Sequence, residues 1–196
     1  MKEIIMFEFQ SLGHFNIVVD NIDEATKFYC NLFNCEQVQT FPRFKNIGFA
    51  KSAGFLSNAH EVEVTIRFIK IPKAEIYLEL FEYHNPKGSN VIAFKKTNDI
   101  GGARHICIRV KNIDEAFTYI KSLKDVTLIS DSPDYKPFQI DDISPEQFYF
   151  HDSNLENNSA EKQSVCKIIG TIRYFYFIDK YGLQWELEEG HDDIGN

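Results

Sequence analysis

The sequence predicts an α+β fold built from two β-α-β-β-β modules, on three observations. First, Asn21-Ile22-Asp23-Glu24-Ala25 recurs as Asn112-Ile113-Asp114-Glu115-Ala116, an offset of 91 positions (112 less 21). The same offset carries His14 to His105, Ile17 to Ile108 and Val19 to Val110. Second, each pentapeptide opens a stretch with helical spacing of apolar residues, preceded by a short β-rich run. Third, each copy closes on alternating stretches, where Leu78-Glu79-Leu80 is echoed by Trp185-Glu186-Leu187. Two copies of one unit imply a pseudo-two-fold arrangement, which brings equivalent side chains to one place.

The elements follow in order. His14–Asp20 is a strand, and Asn21–Phe33 a helix with Ile22, Ala25, Phe28, Tyr29 and Leu32 on one face. Asn21 or Asp23 caps it, and acids in the first turn suit its dipole. Glu36–Phe41 is a second strand, and Asn46–Asn58 a loop with Gly48, Gly54 and Ser57. Glu61–Ile71 alternates, with Val62, Val64, Ile66 and Phe68 on one face, and turns at Pro72-Lys73-Ala74 into Glu75–Tyr83. A connector, His84–Gly102, leads to the second module: strand Arg104–Val110, helix Asn112–Leu123, strand Asp125–Ile129, and closing strands Ile168–Ile178 and Leu183–Glu189 around Asp179-Lys180-Tyr181-Gly182. The two Glu positions are 107 apart (186 less 79), so the second module is longer by 16 residues. The excess lies in an inserted flap around 130–165. Part of it is expected to be ordered, because Phe138, Ile140, Phe148, Tyr149 and Phe150 are too apolar for a solvated linker. Ser153–Lys162 reads as disordered. The modules divide at about residue 90, as 1–90 and 91–196, and together make one domain.

Composition bounds the function. A chain of 196 residues with 43% hydrophobic and 14% aromatic content buries a sizeable core, and 18 Phe and 9 Tyr favour sheets. A net charge of −8 argues against nucleic acid or an anionic membrane as partner. No apolar run reaches the roughly 20 residues of a membrane helix, and residues 1–10 are too mixed for a signal peptide. Cys30, Cys35, Cys107 and Cys166 form no C-x-x-C pair, so reduced thiols and a cytoplasmic location are expected. Cys107 shares a strand face with His105, but reads first as a small buried hydrophobe.

His14 and His105 open equivalent first strands, and Glu79 and Glu186 sit at equivalent points of last strands. Two imidazoles and two carboxylates form a donor set for a divalent first-row metal or Zn²⁺. Glu82, Glu188 and Glu189 are rival ligands, of which Glu188 shares the face of Glu186 and Glu189 points away. His60, His84, His151 and His191 fall in apparent loops or the tail and suit surface roles, although His151 in the flap is placed to reach a substrate.

The stretches Gly13–Tyr29, Ile76–Tyr83, Arg104–Phe117 and Phe175–Glu189 resemble the vicinal oxygen chelate superfamily, the glyoxalase, bleomycin-resistance and dioxygenase fold. The resemblance covers most of the chain outside the flap and termini. It implies a cupped, mixed eight-stranded sheet around a metal, with His14, Glu79, His105 and Glu186 as the four ligands. The ligand set is most similar to those of glyoxalase I (lactoylglutathione lyase) and methylmalonyl-CoA epimerase. It implies a metal-dependent isomerase or lyase that stabilises an enediolate of a small carbonyl or thioester substrate, on Zn, Ni, Co, Mn or Mg. Glu186 or Glu79 is then the base, and symmetry does not separate them. Val18 and Tyr83 stand where glutathione-using relatives commonly carry Arg and Asn, a departure that argues against glutathione. The alternatives are an Fe(II) extradiol-type dioxygenase on His14, His105 and Glu186, with Glu79 as a surplus carboxylate, and a non-catalytic, drug-sequestering binding protein. The resemblance also implies a homodimer, with the four ligands meeting in one chain or across two.

Overall fold

The computed structural model describes residues 13–92, 105–150 and 152–190. The chain forms two compact units, Met1–Val91 and Ile92–Asn196. Both are α+β, with mixed sheets of four and five strands.

Unit 1 runs β1 (Phe15–Val18), α1 (Ile22–Phe33), β2 (Glu36–Phe44), α2 (Ile47–Ser52), β3 (Glu63–Ile71) and β4 (Ile76–Asn85). Its strand order is β1-β4-β3-β2, with β1 parallel to β4 and the other pairs antiparallel. Helix α1 forms where the apolar spacing requires, and Asn21 caps it by accepting from the amides of Asp23 and Glu24. It ends at Asn34 in the left-handed conformation (φ 54°), which Asn tolerates better than most residues. Its face buries Ile22, Ala25, Tyr29 and Leu32, while Ile69, Leu78 and Leu80 are buried on β3 and β4. The strand residues of alternate parity point to the opposite face. There Phe41, Phe44, Phe49 and Tyr83 pack around Val64, Ile66 and Phe81 as an aromatic wall.

Unit 2 runs β5 (Ile106–Arg109), α3 (Ile113–Ser122), β6 (Thr127–Leu128), β7 (Phe138–Gln139), α4 (Ser153–Glu156), α5 (Ser159–Ile169), β8 (Arg173–Ile178) and β9 (Gln184–Glu189). The order β5-β9-β8-β6 matches that of unit 1, and the extra strand β7 pairs with β8 from within the insertion. Trp185, Phe175, Phe177, Ile113 and Ile120 are among its most buried residues. The β8–β9 turn is organised by buried Asp179. Its Oδ1 accepts from the amides of Tyr181 and Leu183, and its Oδ2 from Trp185 Nε1 at 2.9 Å.

Several local expectations are corrected. The expected loop 46–58 contains α2, capped by Asn46 and anchored by fully buried Ala50. Its six residues are too few for a period to show. Ser153–Lys162 is helical, not disordered. Asp152 and Asn158 cap α4 and α5, and Lys162 Nζ reaches the Phe148 carbonyl at 3.1 Å and Glu156 Oε1 at 2.7 Å. Polar caps rather than apolar burial hold that segment, which is why its composition misleads. Ile168 and Ile169, expected to open the closing strand Ile168–Ile178, end α5, and β8 begins at Arg173. The strand expected over Asp125–Ile129 shortens to Thr127–Leu128, because Asp125 adopts a positive φ of 62°. Arg104, Gly101, Gly102, His151 and His191 lie outside the described residues.

The identical pentapeptides are held differently. Asn21 caps α1 with its side chain, whereas Asn112 takes a left-handed conformation (φ 60°) and makes no side-chain cap bond. A glutamate from the last strand serves both helices. Glu82 Oε2 accepts from the Ile22 amide at 2.9 Å, and Glu189 Oε1 accepts from the Asn112 amide at 2.6 Å. A carboxylate at a helix N-terminus satisfies an otherwise unpaired donor and favours the dipole.

Candidate metal centre

In each unit the strand carrying the glutamate runs beside the one that follows the histidine. Parallel pairing sets Asn16 against Glu79 and Cys107 against Glu186. His14 and His105 lie two residues earlier, on the same face by strand alternation. His14 Nε2 therefore meets Glu79 Oε2 at 3.0 Å, and His105 Nε2 meets Glu186 Oε2 at 3.0 Å. The imidazoles are accessible (side chains 44% and 36% exposed), while both carboxylates are largely covered (12% and 11%). Two donors about 2.1 Å from one cation and at right angles to it are about 3 Å apart, so each pair has the spacing of neighbouring ligands. An imidazole nitrogen and a carboxylate oxygen fit a divalent first-row cation or Zn²⁺ in donor type as well.

The surroundings of the two pairs differ. In unit 1 the Asn16 amide donates to the Glu79 carbonyl at 3.1 Å and to Oε2 at 3.3 Å, and the His14 ring meets Phe68 edge-on at 5.8 Å. In unit 2 Tyr176 takes the place of Phe68, directly across β8–β9 from Glu186, with its ring 5.2 Å from that of His105. Its phenol interacts with the Glu186 carboxylate. Burial raises the Glu186 carboxyl above its ordinary value against the lowering effects of His105 and Tyr176. Burial, then the Glu186 charge, raises the Tyr176 phenol. The insertion braces this strand: the Tyr135 hydroxyl accepts from the Tyr176 amide at 2.8 Å and donates to its carbonyl at 3.3 Å.

Of the rival ligands, Glu82 and Glu189 are engaged at helix N-termini and Glu189 points away from Glu186, as strand alternation requires. Glu188 lies on the face of Glu186 and, with Cys107, forms a cluster in which one donor atom from each of the three lies within 4.8 Å of the others. Cys107 is exposed, not buried as first read, because β5 turns odd-numbered residues away from the core. Cys35 is a thiol whose pKa burial, and secondarily Cys30, pushes up to about 12. His84 is not in a loop: it lies on β4, half-buried, with Nε2 2.7 Å from Thr65 Oγ1. His60 is exposed beside Glu61. Sequence reading passed over Asn16 and Tyr176. The turn at Asp179–Gly182 fixes the β8–β9 register and so places Tyr176 opposite Glu186, a signal present in the sequence.

Among the described residues, no helix is long and apolar enough to cross a membrane. Comparison with curated proteins gives no match. Among solved structures, a glyoxalase family protein from Bacillus cereus is 14% identical, with a TM-score of 0.63 over 96% of this chain and 99% of that one. The fosfomycin resistance protein FosX from Listeria monocytogenes, in complex with Mn(II) and sulfate, is 17% identical, with a TM-score of 0.50 over 94% of this chain and 95% of that one. A monoclinic form of the same protein gives 17% and 0.51 over 94% and 96%. These likenesses show the fold. Residues 11–136 match the model of the Glyoxalase/Bleomycin resistance protein/Dioxygenase superfamily, and the chain belongs to that superfamily.

Proposed function

We propose that the protein is a metal-dependent enzyme of the glyoxalase type, an isomerase or lyase acting on a small carbonyl or thioester substrate. In this reading His14 and Glu79 of unit 1 and His105 and Glu186 of unit 2 hold one divalent cation, in one chain or between two copies of a homodimer. The observation that carries it is the imidazole–carboxylate spacing of 3.0 Å, repeated at equivalent points of two modules. An ordinary surface ion pair gives no reason for recurrence in register with a sequence repeat. The cation in the FosX structure is Mn(II), which makes manganese a first candidate beside Zn, Ni, Co and Mg.

When bound, such a cation supplies Lewis-acid stabilisation of negative charge that develops on a substrate oxygen. The residues do the rest. Glu186 or Glu79 takes a proton from carbon and returns it. Asn16 holds Glu79 through its amide, and Tyr176 stands beside Glu186 across β8–β9. The apolar wall of unit 1 excludes water around bound substrate, which strengthens every charge interaction there.

Metal analysis of the purified protein, with a panel of hemithioacetals and 2-substituted acyl thioesters assayed with and without O₂, tests this reading. Redox-inert metal and O₂-independent turnover are expected. Iron with O₂ uptake would replace it with ring-cleaving dioxygenase chemistry, and a metal-free protein that binds small molecules would replace it with sequestration.

A further inference from the structure

We infer that Cys107 is a thiolate ligand of the metal centre, and that unit 2 presents a mixed nitrogen, sulfur and oxygen donor set through His105, Cys107, Glu186 and Glu188. The inference rests on the metal-centre reading above and changes the kind of cation the centre selects.

The register carries the argument. Cys107 and Glu186 are direct neighbours across the parallel β5–β9 pair, and Arg109 and Glu188 are the next. His105, Cys107, Glu186 and Glu188 therefore share one face of two adjacent strands. The sulfur of Cys107 and one oxygen from each glutamate lie within 4.8 Å of one another, and His105 Nε2 is 3.0 Å from Glu186. Three kinds of donor thus gather around one carboxylate.

The repeat supplies an internal control. The residues of unit 1 at the same register positions are His14, Asn16, Glu79 and Phe81. The histidine and the first glutamate are kept, but Asn16 and Phe81 offer no anionic donor in place of Cys107 and Glu188. Asn16 spends its amide on Glu79. In unit 2 Cys107 stands opposite Glu186 at the position Asn16 holds opposite Glu79. Cys107 is exposed, so a metal reaches it without opening the core.

A thiolate shifts preference from Mg²⁺ and Mn²⁺ towards Zn²⁺ and Co²⁺. Coordination forms an S–M bond and releases the thiol proton to solvent, with no change of oxidation state.

Titration of the reduced full-length protein with Co²⁺ tests this, read by near-ultraviolet thiolate-to-metal charge transfer and by calorimetry. Wild type is expected to show the charge-transfer band. Cys107→Ser is expected to lose it entirely, and to weaken Zn²⁺ binding by at least about tenfold, the lower end of what loss of even an outer-shell partner costs. Circular dichroism of the variant checks the fold, and Cys166→Ser is the control thiol that leaves the band intact. Co²⁺ binding in wild type without the band, or a band that survives Cys107→Ser, overturns the inference and leaves the His–Glu reading standing. No Co²⁺ or Zn²⁺ binding at all overturns both.

Discussion

Substituting Asp179 with Ala tests how the hairpin that delivers Glu186 is held. The Asp179 carboxylate is buried and accepts three hydrogen bonds, from the amides of Tyr181 and Leu183 and from the Trp185 indole. Truncation leaves the Trp185 N–H buried and unpaired, which costs about 1–3 kcal/mol. The two turn amides are only part-buried and regain water, so each loses the net value of its bond, about 1 kcal/mol. Burying one carboxylate fewer offsets a part of this. The total comes to about 3–4 kcal/mol, or roughly 6–16 °C in Tm for a chain of this length. Trp185 is the sole tryptophan, so urea denaturation followed by its fluorescence reads unit 2 directly. Trp185→Phe removes the donor, and Asp179→Ala in that background is expected to cost less by about 1–3 kcal/mol, a coupling measured by circular dichroism. A loss within about 0.5 kcal/mol of zero for Asp179→Ala, or full additivity in the cycle, would refute this account of the turn.

Further expectations concern other parts of the molecule. Gly190 sits at φ 139°, and a Cβ there would meet the Thr171 carbonyl oxygen at 2.5 Å. Gly190→Ala is therefore expected to destabilise unit 2 by about 1–3 kcal/mol in the same denaturation assay. Substituting His105 or Glu186 with Ala should abolish metal binding by calorimetry and leave the far-ultraviolet spectrum folded; full metal occupancy in either variant would refute the ligand assignment. In the insertion, the Lys162 ammonium and then the Phe150 amide hold the Glu156 carboxyl below its ordinary value. A lowered folded-state pKa means this stabilisation is complete above the ordinary carboxylate value and is lost as pH falls through the folded one. Limited proteolysis of 145–169 should accelerate over that acid range. Glu156→Gln should show a smaller acceleration, and equal acid sensitivity in both would count against the ion pair as the anchor.

Much of this architecture was legible because it was written twice. The repeated pentapeptide located both helices, and alternation located β3, β4 and β9. Two histidines and two glutamates in matching contexts located the side chains that the structure pairs within each unit. What was not legible depends on contacts distant in sequence or on runs too short to show a period. Helix α2 has six residues, and α4 and α5 hold through asparagine and aspartate caps in a stretch whose composition reads as solvated. The contrast between Asn21 and Asn112, identical in local sequence, shows tertiary partners choosing a cap that the pentapeptide alone leaves undecided. Tyr176 escaped notice because its importance comes from register across a hairpin, not from any motif around it.

Strands β1 and β5 are four residues long, lie at the edges of their sheets and, among the described residues, each pairs with one neighbour. The imidazoles at their leading ends hang from short edge strands, while the carboxylates opposite sit on strands flanked on both sides. An ion bridging the two would act as a rivet at a fraying seam, stiffening Phe15–Val18 and Ile106–Arg109 far more than the sheet interiors. Amide exchange would then slow on loading at those eight residues first.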